Sequence, residues 1–457
     1  MLRRPALALI VTWALGLVCV PGSHAETYRP FEPDAALTAR NALQKWQNQA
    51  MAEWQQVYRD LHAHPELSLQ ETRTAALVEA ALKHAGYTVT PGVGGTGVVG
   101  LLDNGPGPTL MLRGDMDALP VSEETNLSYA SQVRTSNGQG QEVGVMHACG
   151  HDVHVTNLLA TATFLAEYRN LWTGTLLIVA QPAEELGQGA ADMIAAGLFK
   201  RFARPDYAVA LHVAPDLPSN QVGYTSGWAF ANVDSVDITL FGRGGHGARP
   251  HQAIDPIVAG AHLVTTLQTL VSRRLDPQEA AVVTVGTFHA GSKHNIIPDE
   301  AHLGLTVRSY SDATRTALLE GIQQLAQDVC TSFKCPKPPR VQVKANHTPA
   351  LYNDPGLAAH AEQVFQQALG ERNVVQIQPT MGGEDFARYG RALKIPTLMF
   401  RVGTVAPGRL KRSQRTGQAL PSLHSSRFAP DADNTLRTAV KALSQLALSL
   451  LGPAPSP

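Results

Sequence analysis

Five short apolar or β-branched runs, at residues 98–102, 109–112, 175–180, 207–211 and 397–400, are separated by stretches whose apolar residues recur at helical spacing. Strands that alternate with helices are joined by long crossovers, and such a chain folds into an α/β sheet with helices covering both faces. One helix is marked at both ends: residues 71–85 follow a Ser68-x-x-Glu71 capping signal and stop at Gly86. With 457 residues, the chain is long for one core and is expected to divide.

A change of pattern places the second unit. A strand at 235–241, a helix at 256–273, strands at 281–288 and 301–309, a helix at 313–329 and a strand at 340–343 follow in the order β-α-β-β-α-β. That order describes a ferredoxin-like domain. It occupies 232–345 and is inserted into a mixed-sheet α/β domain whose two parts are 26–231 and 346–457.

Residues 1–25 carry Arg3 and Arg4, an apolar core and Ser23-His24-Ala25, the pattern of a cleaved export signal. The core is short for a membrane span, which takes about 20 residues. A periplasmic or secreted location is expected. Without Arg3 and Arg4 the 37 basic and 38 acidic residues become 35 and 38, a net charge of −3 with no long run of either sign. Neither nucleic acid nor a membrane surface is implied as a partner. Export would remove Cys19 and leave Cys149, Cys330 and Cys335 in an oxidising compartment. Cys330 and Cys335 could close a local disulfide or remain two thiols at a helix end. Cys149 is then the odd thiol, for which metal ligation is one explanation.

The polar clusters fall where chemistry is expected. Asp115 and Asp117 follow one strand, Glu184 and Glu185 follow another, and His212 ends a third, and open α/β sheets bind ligands outside the carboxyl ends of their strands. Cys149 and His151 are two apart at a helix start, with Gly150 between them, and can reach one centre. His424 lies in a loop before the last helix. Together Cys149, His151, Glu185, His212 and His424 offer donors suited to divalent transition metals. Two ions about 3.5–4 Å apart would clamp and acidify a water. Glu184 would take its proton, and Asp115 and Asp117 would orient ligating imidazoles. His147 and His154 are expected to be structural. The glycine-rich turn at 242–251 lacks the Lys-Ser/Thr ending of a phosphate loop and instead presents His246 to a developing oxyanion.

The motifs His62 to Ser68, Arg113 to Pro120, Met146 to His154, Glu184-Glu185, Gly244 to His251, Asn295 to Asp299, Gly382 to Phe386 and His424 occur in order along the chain. In this the chain resembles the amidohydrolase and aminoacylase branch of the co-catalytic metallopeptidases, which includes hippurate hydrolases and indole-acetyl-amino-acid hydrolases. The resemblance implies that Cys149, His151, Glu185, His212 and His424 hold a metal pair, with Cys149 bridging, and that Glu184 is the general base. It implies that His246 reaches the active site of a partner in a homodimer formed by the inserted lid domain, and that Asn295 and Arg308 bind the carboxylate side of the substrate. The expected activity is metal-dependent hydrolysis of N-acyl or N-aroyl amino acids, with Zn²⁺ or Mn²⁺ foremost and Co²⁺ or Ni²⁺ as alternatives. A dipeptidase or carboxypeptidase with the same metal pair is the neighbouring reading. A non-catalytic, dimeric metal-binding protein is the reading from another class.

Overall fold

The computed structural model describes residue 28 and residues 32–453, so the expected export signal at 1–25 lies outside the described residues. The apolar runs lengthen into strands Val98–Asp103, Thr109–Asp115, Thr175–Gln181, Tyr207–Pro218 and Thr397–Val405. With Thr88–Pro91, Val222–Tyr224 and Val374–Gln376 they build one eight-stranded mixed sheet. Its centre consists of Thr175–Gln181, Thr109–Asp115, Tyr207–Pro218 and Thr397–Val405, side by side and parallel. Their carboxyl ends therefore open on one side.

Side chains alternate across each strand. Leu110, Leu112, Leu176 and Ile178 enter one core, with Trp46, Leu158 and Leu443 from helices Pro33–Ala63, His151–Glu167 and Ala432–Leu450. Met111, Leu177, Val179 and Ala208 enter the other, with Met193 and Tyr389 from Gly189–Ala195 and Ala387–Leu393. Burial on both faces is why these strands read as unbroken apolar runs. Among the described residues no helix is long and apolar enough to cross a membrane.

Asn232–Phe241, Pro256–Thr269, Ala281–Ala290, Glu300–Ser309, Asp312–Ser332 and Arg340–Val343 realise the β-α-β-β-α-β order. Their antiparallel sheet runs 281–290, 300–309, 232–241, 340–343, the ferredoxin-like arrangement. Leu263, Leu267, Leu318 and Ile322 of its two helices pack on Val236, Ile238 and Leu305.

Two local expectations are corrected, and one alternative left open is resolved. The helix Thr72–His84 has no capping box: Ser68 Oγ donates to Asp117 instead, and the Glu66 carboxylate accepts from the Arg73 and Thr74 amides. His212 lies within its strand, not at its end, because pairing with Thr397–Val405 carries the strand on to Pro218. It stands two residues beyond Ala210, the last residue paired with Thr109–Asp115, where the sheet begins to part. Cys330 and Cys335 are free thiols, with the Cys335 amide donating 2.9 Å to the Cys330 carbonyl at the helix end.

His62, at the end of the first helix, ties three segments together behind the strand ends. Its Nδ1 lies 2.7 Å from Asp152 Oδ2 and its Nε2 3.1 Å from Glu123 Oε1, and all three side chains are buried. Burial opposes charging the imidazole, but the hydrogen bonds to Asp152 and Glu123 override it and push its pKa up to about 10. The folded value lies above the unfolded value of about 6.5. The stabilisation is therefore complete below that pH and is lost progressively as pH rises through about 10. His62→Gln should cost about 3 kcal/mol near pH 6. Denaturant unfolding should show the gap to wild type closing at alkaline pH; a gap independent of pH would mean that the imidazolium is not its source.

Candidate active site

Backbone conformations aim the side chains. Gly150 adopts φ 79° ahead of helix His151–Glu167, and a Cβ there would stand 2.7 Å from Val213 Cγ2, so only glycine lets Cys149 and His151 flank this tight contact. Ala183 takes the left-handed φ 49°, and its amide is held by Glu71 Oε1 at 2.9 Å, which turns Glu184 and Glu185 off the strand Thr175–Gln181. His424, also left-handed at φ 65°, is anchored by its amide to the Ala148 carbonyl at 2.9 Å. Strained non-glycine residues of this kind persist where the surroundings over-determine them.

The donors converge. Donor atoms of Cys149, His151 and His212 lie within 4.8 Å of one another; so do those of Cys149, Glu185 and His424, and those of His151, Glu184 and Glu185. His212 Nδ1 donates to the Val213 carbonyl at 2.8 Å, which leaves the Nε2 lone pair facing Cys149 Sγ at 3.5 Å. His151 Nε2 and Glu185 Oε1, 3.9 Å apart, are shut off from solvent without a hydrogen-bond partner among the described residues. Buried polar atoms are rarely left so. Thiolate, imidazole and carboxylate donors arranged in overlapping clusters fit divalent transition ions.

Asp117 meets the His151 ring: Oδ1 lies 3.3 Å from His151 Nδ1, while Oδ2 accepts from Ser68 Oγ and the Glu185 amide. Asp115 differs. It accepts from His154 Nδ1 at 2.6 Å and from Arg113 at 2.7 Å, and its nearest approach to His151 is 3.7 Å. His154 Nε2 accepts from the Val213 amide at 3.0 Å, so both of its nitrogens are spent on structure. His147 is buried with neither ring nitrogen hydrogen-bonded, and burial pulls its pKa down to about 4.

Sequence reasoning assigned no role to Arg113, Glu384 or Asp385. The fully buried Arg113 guanidinium meets Asp115, Glu384 and Asp385 at 2.7, 3.0 and 3.1 Å, and Gln181 at 2.9 Å. Burial resists ionisation of Asp115, but Arg113, His151 and His154 hold its carboxyl well below the usual range. Burial pushes Glu384 up to about 7 and Asp385 to about 6, against the pull of Arg113. Glu184 shares this acidic pocket: burial, then Glu384 and Glu185, push its carboxyl well above its ordinary value. The Arg113-to-Pro120 and Gly382-to-Phe386 motifs were the traces of this network in the sequence.

A cavity of about 440 Å³ brings together Cys149, Glu184, Glu185, His212, His424 and Arg308. His246 and Asn295 are not in its lining. They sit together in the inserted domain, where Gly245–His246 and Ile296–Ile297 form a two-stranded ladder separate from its main sheet and the Gly247 amide donates to the Asn295 carbonyl. His246 Nδ1 accepts from the Ala248 amide at 3.0 Å, so the neutral ring carries its proton on Nε2 as an outward donor.

The sequence profile of peptidase family M20/M25/M40 matches residues 111–448. The chain is 38% identical to the hippurate hydrolase of Campylobacter jejuni over 339 residues, 73% of this chain and 84% of that protein. It is 35% identical to thermostable carboxypeptidase 1 of Saccharolobus solfataricus over 382 residues, 83% of this chain and 90% of that one. Among solved structures it is similar to a dinuclear metal-binding peptidase of Bacillus subtilis, with a TM-score of 0.69 at 29% identity, covering 88% of this chain and 98% of that chain. The profile spans both the strand ends that carry the donors and the inserted sheet, so the chain belongs to peptidase family M20/M25/M40, as a metal-dependent hydrolase of its amidohydrolase branch.

Proposed function

We propose that the protein is an exported amidohydrolase that cleaves the amide bond of N-acyl or N-aroyl amino acids and related conjugates. The observation that carries this reading is the single cavity in which Cys149, Glu184, Glu185, His212 and His424 share space with the Arg308 cation. Hydrolytic groups and a site for a substrate carboxylate are within one molecule's reach. Similarity to the hippurate hydrolase supports the substrate class. Export rests on the signal pattern of residues 1–25.

In this reading Cys149, His151, Glu185, His212 and His424 would hold two divalent ions, Zn²⁺ or Mn²⁺ foremost, with Cys149, His151 and Glu185 each shared between donor clusters. When bound, such a pair polarises the scissile carbonyl and acidifies an attacking water. Glu184 takes the proton of that water and delivers it to the leaving nitrogen. Asp117 holds the His151 ring, and Asp115 with Arg113 fixes the strand ends. Arg308 receives the carboxylate side of the substrate.

His246 and Asn295 act across a homodimer. The ten-residue edge strand Ala281–Ala290 leaves one side of the inserted sheet unpaired, and Ile257, Val258 and Phe288 are exposed beside it. An open apolar edge of this kind favours pairing with a second copy.

A substrate panel tests the reading. Hydrolysis of N-benzoyl-glycine and N-acetyl amino acids, lost with a chelator and restored by added divalent ions, is the expected result. Cleavage of free peptides with no action on N-acyl amino acids would favour the carboxypeptidase reading, to which the Saccharolobus solfataricus relative lends weight. Bound metal without turnover of any amide would leave only a binding protein.

A further inference from the structure

Arg401 stands beside His212 in the register of the central sheet and lines the reaction cavity. Its guanidinium lies over the Phe230 ring, 4.9 Å from the centroid. Nη2 is shut off from solvent and has no hydrogen-bond partner among the described residues. Asp216 on the neighbouring strand is near enough to be felt but makes no ion pair with it. The contrast with Arg113, which meets three carboxylates, and with Arg315, whose guanidinium chelates Asp234, is direct. A guanidinium nitrogen withdrawn from water without a protein partner is costly, and on a cation lining a cavity that otherwise collects acids it points to an anion from outside.

Two further observations agree. Arg308, which lines the same cavity from the inserted sheet, hydrogen-bonds Thr306 and forms no ion pair among the described residues. The exposed helix Pro407–Thr416 carries Arg409, Lys411, Arg412 and Arg415 and no acidic residue. Arg409 borders a depression that shares Pro215 with the reaction cavity. Cations along the approach raise the local concentration of anionic substrates.

We propose that Arg401 determines specificity by binding a second anionic group of the substrate, in addition to the carboxylate given to Arg308, so that the preferred amides are dicarboxylates. The second carboxylate comes from the side chain of the amino acid or from the acyl group. Arg401 and Arg308 together then neutralise both ends of the substrate while the amide lies over Cys149 and Glu184. This rests on the reading of the cavity as an amide-hydrolysing site.

The test uses the metal-loaded full protein with three matched substrates: N-acetyl-leucine with one carboxylate, N-acetyl-glutamate with the second on the side chain, and N-succinyl-leucine with the second on the acyl group. One of the two dicarboxylates should exceed N-acetyl-leucine by about tenfold or more in kcat/KM, mainly through KM. Which one does so identifies the end that Arg401 holds. Arg401→Met should reduce that preference at least about tenfold, Arg401→Lys should restore part of it, and added salt should weaken it in wild type. Lack of preference in wild type, or an equal loss on all three substrates in Arg401→Met, would overturn the proposal. If the metal-loaded protein turned over none of the three, the reading of the activity would fail, and calorimetric binding would decide Arg401 separately. Weaker binding of the dicarboxylates to Arg401→Met would support the anion site, and equal binding would overturn it.

Discussion

A Glu184→Gln chain should keep its metal ions and lose roughly 10²- to 10⁴-fold in kcat. Glutamine preserves the shape of the side chain but cannot accept a proton from water. The substitution also removes one carboxylate from a pocket that holds Glu185, Glu384 and Asp385, so the fold should be no less stable. Thermal unfolding measured beside turnover separates chemistry from folding. Near-normal turnover with metal bound would eliminate Glu184 as the base. The same chain probes the proposed dimer: mixed with His246→Ala chains under conditions that allow exchange, it should recover roughly a quarter of wild-type activity if His246 acts across a two-fold dimer, because half of randomly assorted dimers are then hybrids with one complete site. Failure to recover activity, with exchange demonstrated, would confine His246 to its own subunit.

Arg113→Met should be the most damaging substitution for stability, at about 3–5 kcal/mol or more. The guanidinium and the Asp115, Glu384 and Asp385 side chains are at most 1% exposed. Methionine fills similar space but leaves three acids in the interior without their cation, and the strand end that carries Asp115 loses its tie through the guanidinium to Asp385, while Gln181 keeps its direct bond to that carboxylate. Chemical denaturation measures the loss. A difference within about 1 kcal/mol of wild type would mean that the acids are neutral in the folded protein and that Arg113 is replaceable.

The sheet was legible because buried parallel strands are apolar on both faces and alternate with helices, and the inserted unit because its pattern switches to β-α-β-β-α-β. Cys149, His151, Glu184 and Glu185 were legible for a related reason, since polar residues placed just after apolar strands or at a helix start have few structural uses. His212 was placed at a strand end because its apolar run stops there, whereas the strand continues on backbone pairing that side chains do not report. The Ser68-x-x-Glu71 signal misled because both side chains have distant partners: Ser68 bonds Asp117, and Glu71 bonds Thr96 and the Ala183 amide. Arg113 and Asp385 are 272 residues apart, and Arg401 is one cation in an apolar strand. Neither leaves a local pattern, because the partner or the cavity exists only after the chain has folded.

The proposed two-ion centre depends on Cys149, and metal content is its direct measure. The wild-type protein, purified and equilibrated with Zn²⁺ or Mn²⁺, should hold about two ions per chain. Cys149→Ala should hold fewer than about one, since two of the five donor clusters around the site draw on Cys149. A Cys149→Ala chain that binds about two ions as tightly as wild type, or a wild-type chain that binds none, would contradict the account.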